Sequence, residues 1–323
     1  MRTNCALVVL VVAAITYCES TFAQKPQART ESLKVLFVGN SYTARHRLAN
    51  VVEALAEEAN PNLDFQPTTV IYGGRTLKDH WELRTQNIVA IHQLTTEDQS
   101  QTVADLQQLV KDKPSNKYAP AALKRHRQLL KDLEQQRTKW DVIVLQSYRD
   151  DLKGADSLYV KYAPRYAKLA KQQGARVVLY ETTPATQNST AVKTKPDAEP
   201  VLAKEKVIGK LALDIDASVA PMSMVALNCQ TERPDLTLRF VNDGHLNQTM
   251  AYLTACTLYS ALFEKSPIGL SVDSVTDIRY WQNKDKTRDR DNQPIKKVFN
   301  DNDRADLQRI AWESYQAFKK LKP

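Results

Sequence analysis

Glycine is scarce in this chain of 323 residues, with eight in all, and cysteine, methionine and tryptophan number four each. Cys5 and Cys18 fall in an N-terminal apolar stretch, which leaves Cys229 and Cys256. No Cys or His pair stands at metal-ligand spacing, so the sequence gives no sign of a zinc site. Cys229 and Cys256 suit a disulfide in an oxidising compartment as well as two buried thiols on packed helices. Long apolar runs are also lacking. The run over residues 6–17 is too short to span a membrane, and no other segment is apolar enough, so no stable membrane insertion is expected. Arg2 precedes that run and small residues follow it up to Ala23, the pattern of a cleavable export signal over 1–23. Tyr17 stands where lipid attachment at Cys18 requires a small residue, so lipidation is not expected. The net charge of +8 comes from 45 basic and 37 acidic residues dispersed over predicted helices. There is no basic stripe interleaved with aromatics and no nucleic-acid motif, so the excess reads as solvated helical surface.

What the chain does have is strands alternating with helices. Residues 34–38 form an uninterrupted apolar run, as in a buried parallel strand, followed by Gly39, Asn40 and Ser41 and a helical pattern over 44–58. Further strands are expected at 67–72, 140–146, 176–180 and 217–220, and helices at 157–173, 201–213 and after His245. The charged stretch 84–138 reads as a helical excursion in which Leu123, Leu130 and Leu133 face inward, with His92 and His126 on solvated faces. The stretch 282–302 is charged and irregular, and 303–321 is a final amphipathic helix. The pattern predicts an α/β protein, a three-layer α/β/α sandwich with a mostly parallel five-stranded sheet, as one domain over 33–323.

Half of the glycines stand at predicted strand ends or beside a polar residue suited to chemistry: Gly39, Gly73, Gly74 and Gly244. Ser41 falls at the carboxyl end of a strand, the rim where open α/β sheets bind ligands. A serine there serves as a helix cap or as a nucleophile. His245 has the titration range of a general base, and on its own it reads equally as a loop residue. Asp243 is two residues before it, and Asp-Gly is an ordinary turn pair.

Taken in order, four blocks resemble the SGNH (GDSL-like) hydrolase superfamily, in particular exported bacterial proteins with a Gly-Asn-Ser-Tyr-Thr start. They are Gly39-Asn40-Ser41, Gly74-Arg75-Thr76, Gln146 after the third strand, and His245 with Leu246 and Asn247. The resemblance spans about 33–270. It implies the flavodoxin-like SGNH hydrolase fold, Ser41 as nucleophile, His245 as base and Asp243 as its orienting acid. It also implies an oxyanion hole from the N–H groups of Ser41 and Gly74 and the amide of Gln146. Two departures stand out. Asn242 occupies the family's usual acid position three residues before the histidine, so His245 is oriented either by Asp243 through a different turn or by Asn242 or a backbone carbonyl; and Gln146 stands where members usually carry Asn. Arg75, Tyr148 and Arg149 lie just past strand ends and are expected to contact substrate. The expected activity is hydrolysis of a carboxylic ester, an acetyl or similar acyl group on a carbohydrate, by an exported enzyme. Its partner is a small-molecule or glycan ester, with no nucleic acid and with no cofactor implied. The alternative is a catalytically impaired glycan-binding protein, which Asn242 keeps open; a flavodoxin-like phosphate binder is a third reading, and it leaves Asp243-Gly244-His245 without a role.

Overall fold

The computed structural model describes residues 31–149, 152, 156–182, 186–278 and 284–321; the expected export signal lies outside them. Five strands form an all-parallel sheet: β1 (Glu31–Gly39), β2 (Leu63–Ile71), β3 (Val142–Gln146), β4 (Arg176–Tyr180) and β5 (Ser218–Ala220). Their order, β2-β1-β3-β4-β5, is the flavodoxin-like doubly wound one, with its switch point between β1 and β3. The helices in chain order are α1 (Ser41–Ala44), α2 (Leu48–Ala59), α3 (Leu77–Glu82), α4 (Thr85–Val89), α5 (Thr96–Asp112) and α6 (Ala119–Lys131). They continue with α7 (Leu133–Gln136), α8 (Leu158–Gln172), α9 (Glu199–Ile215), α10 (Met222–Glu232), α11 (Gln248–Phe263) and α12 (Asp301–Lys320). Among the described residues no helix is long and apolar enough to cross a membrane.

The period of two along each strand explains the two cores. Val35 and Phe37 of β1, with Val142 and Val144 of β3, pack with α2, α10, α11 and α12. Leu36, Val38, Ile143 and Leu145 face the other way, against α3 to α9. Both faces are covered, so the strands are apolar throughout, and the expected α/β/α layering is present. At about 25 cal/mol per Å² of apolar surface, this two-sided burial is the main stabilising term.

Several expectations need correction. β2 starts at Leu63 and runs through Pro67, which an edge strand tolerates because one side of its backbone needs no partner. The helix expected over 44–58 is broken: His46 (φ 57°) and Arg47 (φ 48°) are left-handed and separate α1 from α2. His126 is not solvated. It lies on the buried stripe of α6 with Ala122, Leu123 and Leu129, where the Gln99 amide donates to its carbonyl at 2.7 Å. The helix α10 and a two-stranded antiparallel ribbon, β6 (Ser274–Thr276) with β7 (Lys296–Val298), are absent from the sequence reading. Cys229 on α10 and Cys256 on α11 are both buried free thiols.

Candidate active site

The turn after β1 is built by close approach. A Cβ on Gly39 would lie 2.5 Å from Gln146 Oε1 and from Thr43 Oγ1, so only glycine lets β1 and β3 end side by side here. The buried Asn40 is the N-cap of α1, its Oδ1 accepting the N–H of Tyr42 at 3.1 Å. This capping by Asn40 frees Ser41 from that role and leaves its hydroxyl to point elsewhere. Ser41 Oγ lies 2.8 Å from His245 Nε2.

His245 sits in a tight turn ahead of α11. Phe240 N–H donates to the His245 carbonyl at 3.2 Å, Arg239 bridges Leu246, and Asn247 caps α11 through Met250 N–H. The Tyr42 hydroxyl donates to the Gly244 carbonyl at 3.0 Å, which joins this turn to α1. Asp243 Oδ1 accepts the backbone N–H of His245 at 3.1 Å and also bonds its Nδ1. That is an Asx turn, in which an Asp side chain reaches the backbone two residues on. It explains how an acid two positions before the histidine orients the ring. Asn242 is exposed and makes no side-chain bond to His245.

The electrostatics set a definite tautomer. Nδ1–H donates to Asp243, so Nε2 carries the lone pair and accepts from the Ser41 hydroxyl. Burial, together with the charges of Arg45 and Arg290, pushes His245 below its ordinary value against the pull of Asp243, and the ring is neutral at pH 7. Burial opposes ionisation of Asp243, but the bond from His245 and the charge of Arg45 outweigh it. The carboxylate is held well below its usual range. Its Oδ2 pairs with Arg45 at 3.0 Å and with Arg290.

The second glycine turn is pinned to the first. Asn40 Nδ2 donates to the Arg75 carbonyl at 3.2 Å, and the Tyr118 hydroxyl donates to the Gly73 carbonyl at 2.6 Å. Gly74 adopts φ +67° with nothing within 4 Å of where a Cβ would stand, so this side of the turn is open. The N–H groups of Ser41 and Gly74 have no hydrogen-bond partner among the described residues.

Gln146 departs from expectation. Its Nε2 donates to Asn40 Oδ1 at 2.8 Å and to the Ser147 carbonyl at 2.9 Å, so both amide hydrogens are used. Its Oε1 accepts from Asn40 N–H at 2.9 Å and Thr43 Oγ1 at 2.6 Å. The longer side chain folds back into the turn and leaves no N–H for an oxyanion. Arg75 is half-buried, its guanidinium 5.1 Å from the Tyr118 ring, with the Lys117 amine 5.2 Å from the same ring. Tyr148 is half-buried and Arg149 exposed, the guanidinium 5.5 Å from the tyrosine ring. None of these three shares a side-chain hydrogen bond with Ser41, Asp243 or His245.

His46 Nε2 lies 2.9 Å from the Leu246 carbonyl, and His126 Nδ1 lies 3.1 Å from the Gln99 amide. His80 is buried between the Gly39 carbonyl (2.9 Å) and Thr85 Oγ1 (3.1 Å), and burial lowers it to about 4. Arg45 and Arg290 were invisible as site residues in the sequence. Arg290 lies in a charged segment far from His245, and no motif marks it. Among the described residues no group of three or more His, Cys, Asp or Glu side chains is placed to hold a metal ion. A cavity of about 910 Å³ lies at the amino ends of β4 and β5, lined by Arg176, Ser218 and Lys319. It is at the opposite end of the sheet from Ser41, and open α/β sheets bind ligands at the carboxyl ends.

No family profile and no curated protein matches the chain. Among solved structures it is similar to a DUF4886 family protein from Bacteroides uniformis, at 14% identity and a TM-score of 0.49, over 90% of this chain and 98% of that one. It is also similar to a protein described as "a putative SGNH hydrolase" from Slackia heliotrinireducens, at 17% identity and a TM-score of 0.43, over 72% of this chain and all of that one. A third, BT4096, a gut microbial diltiazem-metabolizing enzyme, has 12% identity and a TM-score of 0.35, over 74% of this chain and 48% of that one.

Proposed function

We propose that this protein is a serine-dependent carboxylic ester hydrolase. The observation that carries the reading is the continuous contact from Ser41 Oγ through His245 to Asp243. A serine hydroxyl is a weak nucleophile until a base takes its proton. Neutral His245 removes it as Oγ attacks the ester carbonyl carbon. Asp243 stabilises the imidazolium that forms. The Ser41 and Gly74 N–H groups donate to the oxyanion, each such donor being worth roughly 3–4 kcal/mol of barrier. His245 then gives the proton to the departing alcohol, leaving an acyl-serine, and the same base activates the water that releases the acid.

The resemblance of the Gly39-Asn40-Ser41 and His245 blocks to SGNH hydrolases supports this assignment. The finer reading is an exported enzyme that removes acetyl or similar acyl groups from a carbohydrate. The export pattern at the N-terminus and the polar rim of Arg75, Tyr148 and Arg149 support it. The test is release of acetate from acetylated oligosaccharides, beside p-nitrophenyl acetate hydrolysis, by wild type and Ser41→Ala. Equal rates in both proteins on both substrates would end the reading.

A further inference from the structure

Residues 285–295 read as irregular in sequence, yet they form a closed loop. Asp289 Oδ1 accepts the N–H groups of Asp291 at 2.9 Å and Gln293 at 2.8 Å, and Ile295 N–H donates to the Thr287 carbonyl at 2.8 Å. Gln248 at the start of α11 donates to Asp289 Oδ2 at 3.1 Å, which anchors the loop on that helix. From this base the loop grips the turn that carries the acid in two places. Asp291 accepts the backbone N–H groups of Val241 at 2.7 Å and Asn242 at 3.2 Å. Arg290 pairs with Asp243 Oδ2, the oxygen that also pairs with Arg45. Behind Arg290 lies Asp277, fully buried, its Oδ2 3.8 Å from Arg290 Nε and its Oδ1 3.4 Å from His46 Nδ1. Arg45, Asp243, Arg290 and Asp277 thus alternate in sign through a mostly sealed space.

We infer that Arg290 and Asp291 are positioning residues of the Ser41–His245 site, and that Asp277 balances Arg290 so that Asp243 keeps its hold on the imidazole. This rests on the hydrolytic reading above. The need for a clamp follows from the turn itself. Val241 is 57% exposed and Asn242 is exposed, so Asp243 sits on a turn with little packing beneath it. One carboxylate oxygen is held by the Asx turn; the other must be fixed for the ring to stay aimed at Ser41. Arg45 and Arg290 fix it. Two cations on one carboxylate also oppose imidazolium formation, and Asp277 offsets one of them. The titratable and charged groups facing His245 are Asp243, Arg45, Arg290 and His46; those facing Asp277 are Arg45, Arg290, His46 and Asp289. The signs follow. Removing Arg290 favours the imidazolium and raises the His245 midpoint, while neutralising Asp277 lowers it.

The experiment compares the full chain with Arg290→Gln, Arg290→Lys, Asp277→Asn and Asp291→Ala. It measures p-nitrophenyl acetate kinetics and the His245 titration midpoint by NMR. Arg290→Gln and Asp291→Ala are expected to lower kcat by about 10- to 100-fold, the scale of a small misplacement of a catalytic group. Arg290→Gln moves the midpoint up and Asp277→Asn moves it down. Arg290→Lys restores the midpoint without restoring kcat, because a point charge does not reproduce the planar fork. Folded variants with wild-type kcat and coincident midpoints overturn the inference. Where Arg290→Gln does not fold, a lowered kcat in Arg290→Lys and a lowered midpoint in Asp277→Asn support the inference, and wild-type values of both overturn it. Ser41→Ala separates the two claims. A wild type no faster than Ser41→Ala defeats the hydrolytic reading, while opposite midpoint shifts still support the clamp.

Discussion

Ser41 Oγ meets His245 Nε2 at 2.8 Å across 204 positions of chain. Each end of that contact is fixed by a neighbour that takes over a competing role. Asn40 caps α1, and Asp243 accepts from the opposite nitrogen of the ring. Ser41→Ala and His245→Ala should each lower kcat for p-nitrophenyl acetate by about 10⁵- to 10⁶-fold, since in the proposed mechanism the nucleophile and base act as one unit. Ser41 is only half-buried, so Ser41→Ala should leave the urea midpoint close to wild type. Active-site titration with a fluorophosphonate checks the same point, with labelling expected in wild type and absent in Ser41→Ala.

Asp243 and Asn242 are adjacent, and one of them orients the ring. Asp243→Asn should reduce kcat by about 10³- to 10⁴-fold, because an amide does not stabilise imidazolium and permits the wrong tautomer. Asn242→Ala should stay within about twofold, as expected for an exposed residue with no side-chain bond to the histidine. The reverse ranking would place the acid role elsewhere.

Gln146 predicts a different kind of loss. Its amide makes four bonds inside the turn, and it is 3% exposed. Gln146→Ala strands several buried donors and acceptors and should cost about 2–4 kcal/mol of stability in urea unfolding. Any fall in activity should track that loss of the turn rather than a missing oxyanion donor. Normal stability with a selective fall in kcat would restore the oxyanion role.

Much of this was readable in the chain, and the reasons differ by residue. The strand pattern around Leu36 and Val144 announced a sheet covered on both faces, because alternation disappears when both faces are dry. Ser41, Asp243 and His245 are legible through the resemblance of their blocks to SGNH hydrolases; singly they read as a cap, a turn residue and a loop residue. Gln146 was legible as a position but not as a role, since the side chain's extra methylene decides which way the amide turns. Arg290 and Asp277 were not legible at all. They act through contacts made by a loop whose charged residues look like ordinary surface. Arg125 and Arg127 beside His126 mask the apolar stripe it belongs to, so the sequence alone places it on a solvated face.

Acid should destabilise this protein through its buried histidines rather than through surface ion pairs. His46, His80 and His126 are each at most 1% exposed, and burial lowers them to about 3, 4 and 4. Their folded values lie below the unfolded value near 6.5, so the unfolded chain takes up protons that the folded one does not. The stability these three histidines contribute is therefore full above about pH 6.5 and falls as pH drops toward 4. Asp277 works in the opposite sense. Burial raises it to about 6, so between about pH 6 and 4 the folded state gains a proton there that the unfolded chain lacks. Burial also raises Glu181 and Glu205, which oppose the histidines in the same sense as Asp277, so the histidine contribution is read from a single-site variant rather than from the net slope. Urea unfolding at pH 7, 6 and 5 measures this slope directly. His126→Gln should change it by about 1.4 kcal/mol per unit in the direction of less loss on acidification, because one depressed group is gone. A slope that does not change in that variant would mean His126 is protonated in the folded state.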